Sequence, residues 1–275
     1  MVISELITKL KDIISDSSES AILDARLIVS FLTGLNSTGL IVHGKNAVSE
    51  DIISSAVAMA EKRAERKPMA YILGKREFMS LDFDVCPGVL IPRPDTECVV
   101  EKALELIKTD DKVLDIGTGS GAIAVSIAKY SEKASVSAID FSETAILCAK
   151  RNAENNGVSV NITKADIFDF ETDEKFNVIV SNPPYIETEV IDTLEPDVKD
   201  YEPLSALDGG EDGLRFYRRI SEFAYSHLEN GGYLIYEFGW KQHDDVKKIV
   251  ENAGLTFTET INDLAGIKRG LVAKK

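Results

Sequence analysis

Residues 112–122 read KVLDIGTGSGA, and the order of residue types in this stretch decides the fold. Val113, Leu114 and Ile116 make a short apolar run that reads as a buried strand. Glycines at 117, 119 and 121 interrupt it, and helical spacing over Gly121–Tyr130 follows at once. A strand that passes through a glycine turn into a helix is the opening of a βαβ unit. The same alternation continues downstream. SVSAID (135–140) is a second strand, and 142–156 a helix closed by Gly157. NITKAD, NVIVSN, GYLIYEF and the terminal GLVAK supply further strands, with helices near 213–229 and 240–253. This order predicts an α/β fold with a mostly parallel, doubly wound, Rossmann-like sheet.

Upstream the pattern differs. Residues 1–66 show only helical spacing: Val2, Leu6, Ile7, Leu10 and Ile14 form one stripe, and Ile22, Leu23, Leu27 and Phe31 another that Gly34 ends. Ser49 is placed to cap a third helix. Pro68 and Gly74 punctuate the chain, and FMSLDFDV with Pro87-Gly88 and VLIP reads as a hairpin over 77–91. Asp95 or Thr96 then caps a helix reaching Ile107. The expected division is a helical domain over 1–74, a β-hairpin linker over 75–94 and the α/β domain over 95–275.

Composition excludes several classes of function. A net charge of −15, from 31 basic and 46 acidic residues, opposes broad binding to nucleic acid. Cys86, Cys98 and Cys148 are far apart and His43, His227 and His243 are scattered, so neither a disulfide frame nor a metal site is expected. A reducing cytoplasm fits this cysteine usage. Glu5, Lys9, Lys11 and Asp12 interrupt the first apolar stretch, which is an amphipathic helix and not a signal peptide. No stretch is apolar enough for a membrane span.

The loop Gly117-Thr118-Gly119-Ser120-Gly121 has the spacing G-x-G-x-G, one residue shorter than the dinucleotide fingerprint. A nucleoside whose tail is not a diphosphate suits it better. Asp140, 19 residues after Gly121, ends the next strand, where a carboxylate accepts hydrogen bonds from ribose hydroxyls. Asp166 is placed to meet an adenine amino group, with Ile167 against the ring. The plainer reading is a structural turn with two strand-end carboxylates acting as caps. Loop, ribose acid and third acid in this order favour the nucleoside.

VIVSNPPYI (178–186) ends the fourth strand at the carboxyl edge of the sheet, where open α/β sheets hold ligands. Asn182 and Pro183 offer two acceptor oxygens, Pro184 stiffens the corner and Tyr185 offers a flat face. Together these suit a planar NH2 group. The alternative is a strand end whose prolines prevent edge pairing.

The glycine loop followed by NPPY resembles the class I S-adenosylmethionine-dependent methyltransferases that modify amide or exocyclic amino nitrogens. PMAYILGKREF (68–78), LIPRPDTE (90–97), SNPPYI (181–186) and EPLSALDGGEDGLRFYRRI (202–220) are similar, more narrowly, to the peptide chain release factor glutamine methyltransferases, the HemK/PrmC family. The resemblance runs from about residue 20 to the C-terminus. It implies S-adenosyl-L-methionine as cofactor, held by Gly117, Thr118, Gly119, Ser120, Gly121, Asp140, Asp166, Ile167 and Asn182. It implies as substrate the glutamine of a Gly-Gly-Gln loop on a release factor, held by Asn182, Pro183, Pro184 and Tyr185, with Asn182, Pro183 and Tyr185 catalytic. The helical segment would then grip the protein substrate. Ile167 stands where some members carry a large aromatic, and Ser120 where Thr is frequent. Nucleic-acid amino methylation and ribosomal-protein glutamine methylation are the alternatives; charge disfavours the first and the RPDTE wording the second. The glycines of LDGGEDGL read either as a loop before a helix or as part of the substrate entrance. Arg93 reads as a linker anchor or as a binder of an acidic group.

Overall fold

The computed structural model describes residues 1–131 and 133–275. The chain divides into two units, Met1–Gly74 with Glu195–Tyr201, and Lys75–Leu194 with Glu202–Lys275.

The first unit holds α1 (Ile3–Ile14), α2 (Ala21–Thr33), α3 (Ser37–Val42), α4 (Glu50–Ala64) and α5 (Met69–Leu73). Asn36 starts α3, its side chain accepting from the Gly39 amide at 2.8 Å, and Ser49 caps α4. The first apolar stripe is buried as its spacing requires, through Leu6, Leu10 and Ile14. The second is not. Ile22, Leu23, Leu27 and Phe31 are exposed, and α2 instead buries Ala21, Ala25, Ile28 and Val29 together with Asp24. Apolar residues cover two adjacent faces of this helix, so both satisfy a 3.6-residue period. An ion pair decides between them. Asp24 accepts from Arg63 of α4 at 2.8 Å, and a charge this deeply placed needs its partner inside. Arg63 also meets Asp197 at 2.6 Å and Arg66 meets it at 2.8 Å, while the Tyr201 hydroxyl donates to the Glu65 carbonyl. Residues 195–201, drawn from within the 95–275 segment, are thereby held on the helical unit.

In the second unit β1 (Lys75–Phe78) and β2 (Leu81–Asp84) form a separate two-stranded sheet. The hairpin turns at Met79 and Ser80, both at positive φ, which matches the twist of the flanking strands. It is therefore shorter than expected. Pro87-Gly88 lies beyond it, and VLIP runs as irregular chain instead of a return strand. A 3-10 turn over Pro94–Thr96 leads into α6 (Glu97–Leu106), and neither Asp95 nor Thr96 caps it. Asp95 pairs with Arg269 at 2.9 Å, and the Thr96 hydroxyl is engaged elsewhere.

The main sheet comprises β3 (Lys112–Ile116), β4 (Ser135–Asp140), β5 (Asn161–Lys164), β6 (Phe176–Ser181), β7 (Leu228–Glu237), β8 (Thr256–Asn262) and β9 (Lys268–Lys274). Its order is β5-β4-β3-β6-β7-β9-β8. The first five strands are parallel; β9 runs antiparallel to both β7 and β8. Pairing with β9 makes β8 a strand despite its polar alternation, which the sequence reading missed. One face packs on Val99, Val100 and Ala103 of α6, on Ile123 and Ile127 of α7 (Ala122–Tyr130), and on Ile146 and Ala149 of α8 (Glu143–Asn155). The other packs on Tyr217, Ile220 and Phe223 of α9 (Arg215–His227) and on Val246 and Val250 of α10 (His243–Asn252). Strand order reverses between β3 and β6, which opens a crevice at their carboxyl ends.

Candidate active site

That crevice is a cavity of about 1040 Å³, its open mouth included. This is large enough for a nucleoside-sized ligand and a side chain together. Its walls are the end of β3 with Gly117–Ser120, the end of β4 with Asp140, the segment Ala165–Ile167, and Ser181–Pro184 beyond β6. Val89–Arg93 and Thr96 supply another side.

The glycine loop needs its glycines for different reasons. Gly117 and Gly119 sit at φ +75 and +56, and a Cβ on either would meet no atom within 4 Å. Backbone conformation asks for glycine there, and the space beside the chain stays open. Gly121, at the start of α7, is different: its Cβ would stand 3.0 Å from the Ala149 Cβ. It permits α7 to approach α8 and is not part of the cavity wall, a correction to its expected place at the ligand.

Asp140 lines the cavity and is only 8% exposed. Its Oδ2 accepts from the Gly119 amide and its Oδ1 from the Ser142 amide, each at 2.9 Å. Burial raises its acidity constant from the ordinary carboxylate value, and the amides of Ser142 and Gly119 oppose that rise. The two readings of Asp140 are therefore both realised: it caps the turn, and each oxygen keeps a lone pair. Asp166 lies two residues past β5, exposed at the rim, with Oδ1 accepting from Phe168 at 2.9 Å. Ile167 is buried and presents an apolar wall.

At the strand end, Asn182, Pro183 and Pro184 line the cavity and Tyr185 does not. Tyr185 packs beside the second core cluster, with its Cδ2 3.3 Å from where a Cβ on Gly239 would stand, and its carbonyl accepts from Gln242 Nε2 at 2.9 Å. Burial, followed by the nearby Glu237 charge, pushes its hydroxyl up to about 12. Its ring backs the segment instead of facing the ligand space. The glycines of LDGGEDGL explain themselves here. A Cβ on Gly209 would stand 2.9 Å from the Pro184 carbonyl oxygen, and one on Gly213 2.5 Å from that of Tyr185. Gly209 donates to the Ile186 carbonyl at 2.8 Å and Ile186 to that of Leu207 at 3.0 Å. This loop fits against the proline corner only without side chains. Arg93 pairs with Glu202, whose carboxylate is almost wholly enclosed; burial raises that carboxyl and Arg93 holds it down. Arg93 is an anchor whose stem also lines the cavity.

Three buried polar groups escaped the sequence reading. Asp115, fully buried in β3, accepts from the Thr118 hydroxyl at 2.6 Å and from the Ala124 amide at 3.2 Å, and burial still pushes it up to about 7. Thr96 accepts from Asn182 Nδ2 at 3.3 Å. Glu237 ends β7, where burial pushes it up to about 7 against hydrogen bonds from Thr96 and Asn182. An acid at a strand end beside NPPY was the available signal.

Two family models match: Methyltransferase small domain over residues 96–194 and PrmC N-terminal domain over residues 5–74. A release factor glutamine methyltransferase of Geobacter sulfurreducens is 42% identical across 91% of this chain and 88% of its own. One of Clostridium acetobutylicum is 39% identical across 99% and 98%. Among solved structures, a methyltransferase of Pyrococcus furiosus superposes with a TM-score of 0.56 at 22% identity, over 72% of this chain and 90% of its own, which speaks to the fold alone. No helix of the described residues is long and apolar enough to cross a membrane. With that identity sustained along nearly the whole chain, the protein belongs to the release factor glutamine methyltransferase family.

Proposed function

We propose that this protein transfers a methyl group from S-adenosyl-L-methionine to the side-chain amide nitrogen of a glutamine in the Gly-Gly-Gln loop of a peptide chain release factor, and that it does so in this cavity. One observation carries the reading: the open glycine loop with Asp140 and the rigid Asn182–Pro184 corner line the same space. The residues fit the cofactor. Gly117 and Gly119 leave room beside their backbone, Asp140 keeps acceptor capacity for ribose hydroxyls, and Ile167 offers an apolar surface to an adenine. Bound there, the cofactor supplies a methyl group activated by a positively charged sulfur.

The glutamine amide nitrogen is a weak nucleophile because its lone pair is shared with the carbonyl. To react it must lose planarity and gain positive charge, which makes its hydrogens more acidic. Asn182 Oδ1 and the Pro183 carbonyl accept those hydrogens, and their hold strengthens as the charge grows. Prolines 183 and 184 fix the corner, so little reorganisation accompanies the reaction. Tyr185 and the Gly209–Gly213 loop hold the corner from behind. The proton leaves to water afterwards. A protein substrate suits the net charge of −15 better than a polyanion does. The helical unit, with Ile22, Leu23, Leu27 and Phe31 exposed on α2, offers apolar surface for gripping that protein.

The test is Asn182→Ala assayed on an intact release factor. Turnover should fall roughly 10²–10³-fold, the usual loss when one preorganised polar partner is removed, with cofactor affinity nearly unchanged. Parental turnover would sink the amide-clamp reading.

A further inference from the structure

β6 and β7 run parallel with Ser181 opposite Tyr236. One residue further along each strand come Asn182 and Glu237, so the register brings a carboxylate to the proline corner's amide. Thr96 arrives from the 3-10 turn before α6. Three residues far apart in sequence thus meet at one point. Asn182 Nδ2 donates to the Thr96 hydroxyl at 3.3 Å, and Glu237 accepts hydrogen bonds from both Thr96 and Asn182. Glu237 is only 4% exposed, and its Oε2 has no hydrogen-bond partner. The Tyr217 hydroxyl, donating to the Glu237 carbonyl at 2.9 Å, steadies the backbone at this place.

A buried carboxylate with a free oxygen is costly to keep, and replacing it by an apolar residue would remove the cost. Its position explains its presence. An ionised carboxylate only accepts hydrogen bonds, so the end of the Asn182 amide turned towards it must be the NH2 end. Oδ1 is then the end left for a ligand. Glu237 also polarises the amide through its N–H, which makes Oδ1 a stronger acceptor.

We propose that Glu237 and Thr96 are positioning residues that lock the Asn182 side chain with Oδ1 presented to the substrate amide and strengthen it as an acceptor. The inference rests on the assignment of Asn182 made above. It requires Glu237 to be ionised. The groups acting on its carboxylate are few: Thr96 and Asn182 as hydrogen-bond partners, Asp95 as a like charge, and Arg269 as the opposing cation. Cys98, Tyr185 and Tyr217 feel its charge in return, and burial keeps all three neutral. Since burial outweighs Arg269, Glu237 takes up its proton near neutral pH, and turnover should fall as the pH drops below about 7.

The experiment measures kcat, KM and cofactor affinity across pH 5.5–9 for the parent, Glu237→Gln, Thr96→Val and Thr96→Ser. Glu237→Gln keeps the shape and removes the charge. It should lower kcat roughly 10–100-fold, the scale of a partner that orients a functional group without touching substrate, and flatten the acid limb while cofactor affinity stays put. Thr96→Val should lower kcat similarly and Thr96→Ser should restore it. Because Glu237 acts through Asn182, the double variant Asn182→Ala with Glu237→Gln should be no slower than Asn182→Ala alone. An acid limb that persists in Glu237→Gln, or a double variant slower by the full product of the two losses, overturns the positioning role. If Asn182→Ala is slow and Glu237→Gln is not, the positioning role falls while the amide clamp stands. If Asn182→Ala itself turns over like the parent, both fall.

Discussion

Removing the Asp140 carboxylate separates its two jobs. In Asp140→Ala the amides of Gly119 and Ser142 each lose an acceptor now 2.9 Å away. An unpaired buried donor costs about 1–3 kcal/mol, but the variant also relieves a carboxylate whose burial disfavours its charge, so the folded state should lose about 1–3 kcal/mol in total. For a chain of this size that is a fall in Tm of roughly 2–10 °C. Cofactor binding loses the acceptor for ribose hydroxyls as well. About 1–3 kcal/mol there corresponds to a roughly 5–150-fold weaker Kd. Isothermal titration with S-adenosyl-L-methionine reads the second effect, and thermal unfolding without ligand reads the first. Asp140→Asn is the companion variant. Its one oxygen serves only one of the two amides and its NH2 faces the other, so it should weaken both properties by an intermediate amount. A variant whose Tm falls while its Kd stays within twofold of the parent would make Asp140 a cap and nothing more. The cofactor assignment at β4 would then be wrong.

The remaining tests concern pH and the helical unit. Asp115 is pushed up to about 7 by burial, so the folded chain holds that proton more tightly than the unfolded chain does; its stabilising contribution is complete below about pH 4 and is lost as the pH rises through about 7. Tm of the parent should therefore decline between pH 5 and 8, and Asp115→Asn should flatten part of that decline, the rest belonging to Glu237, which shifts in the same direction; an unchanged slope would remove Asp115 as its source. On α2, Leu23→Ser and Phe31→Ser change residues 54% and 49% exposed, so stability should move by no more than about 0.5 kcal/mol. KM for an intact release factor should rise while the rate on a short Gly-Gly-Gln peptide stays the same, and an unchanged KM would mean that this face does not grip the substrate.

What the sequence could disclose follows from how far apart the interacting residues lie. The glycine loop was legible because the strand, turn and helix that shape it occupy a dozen consecutive residues, and positive φ at Gly117 and Gly119 is a local demand. Asp140 was legible as the last residue of a strand beside that loop. Gly121 shares the spacing of the other two glycines, yet its reason is the packing of α7 on α8, a contact with Ala149 that no local pattern encodes. Tyr185 misled for a related reason. Four consecutive residues at a strand end were taken to face one ligand, but the corner carries the tyrosine away from the cavity and back against Gly239 and Gln242. The α2 stripe failed because a helix apolar on two adjacent faces fits one period twice, and the choice was made by Arg63, 39 residues from Asp24. The Thr96, Asn182 and Glu237 cluster is the extreme case. Those side chains converge only because β6 and β7 are paired in one register, and pairing between strands 55 residues apart leaves no mark on either segment alone. In a parallel sheet the ligand-holding residues lie at the ends of separate strands, so single residues at those ends are readable while the groups that orient them are not. Each buried polar residue at the carboxyl end of a strand in this fold therefore calls for a partner from the neighbouring strand, and Glu237 beside Asn182 meets that demand.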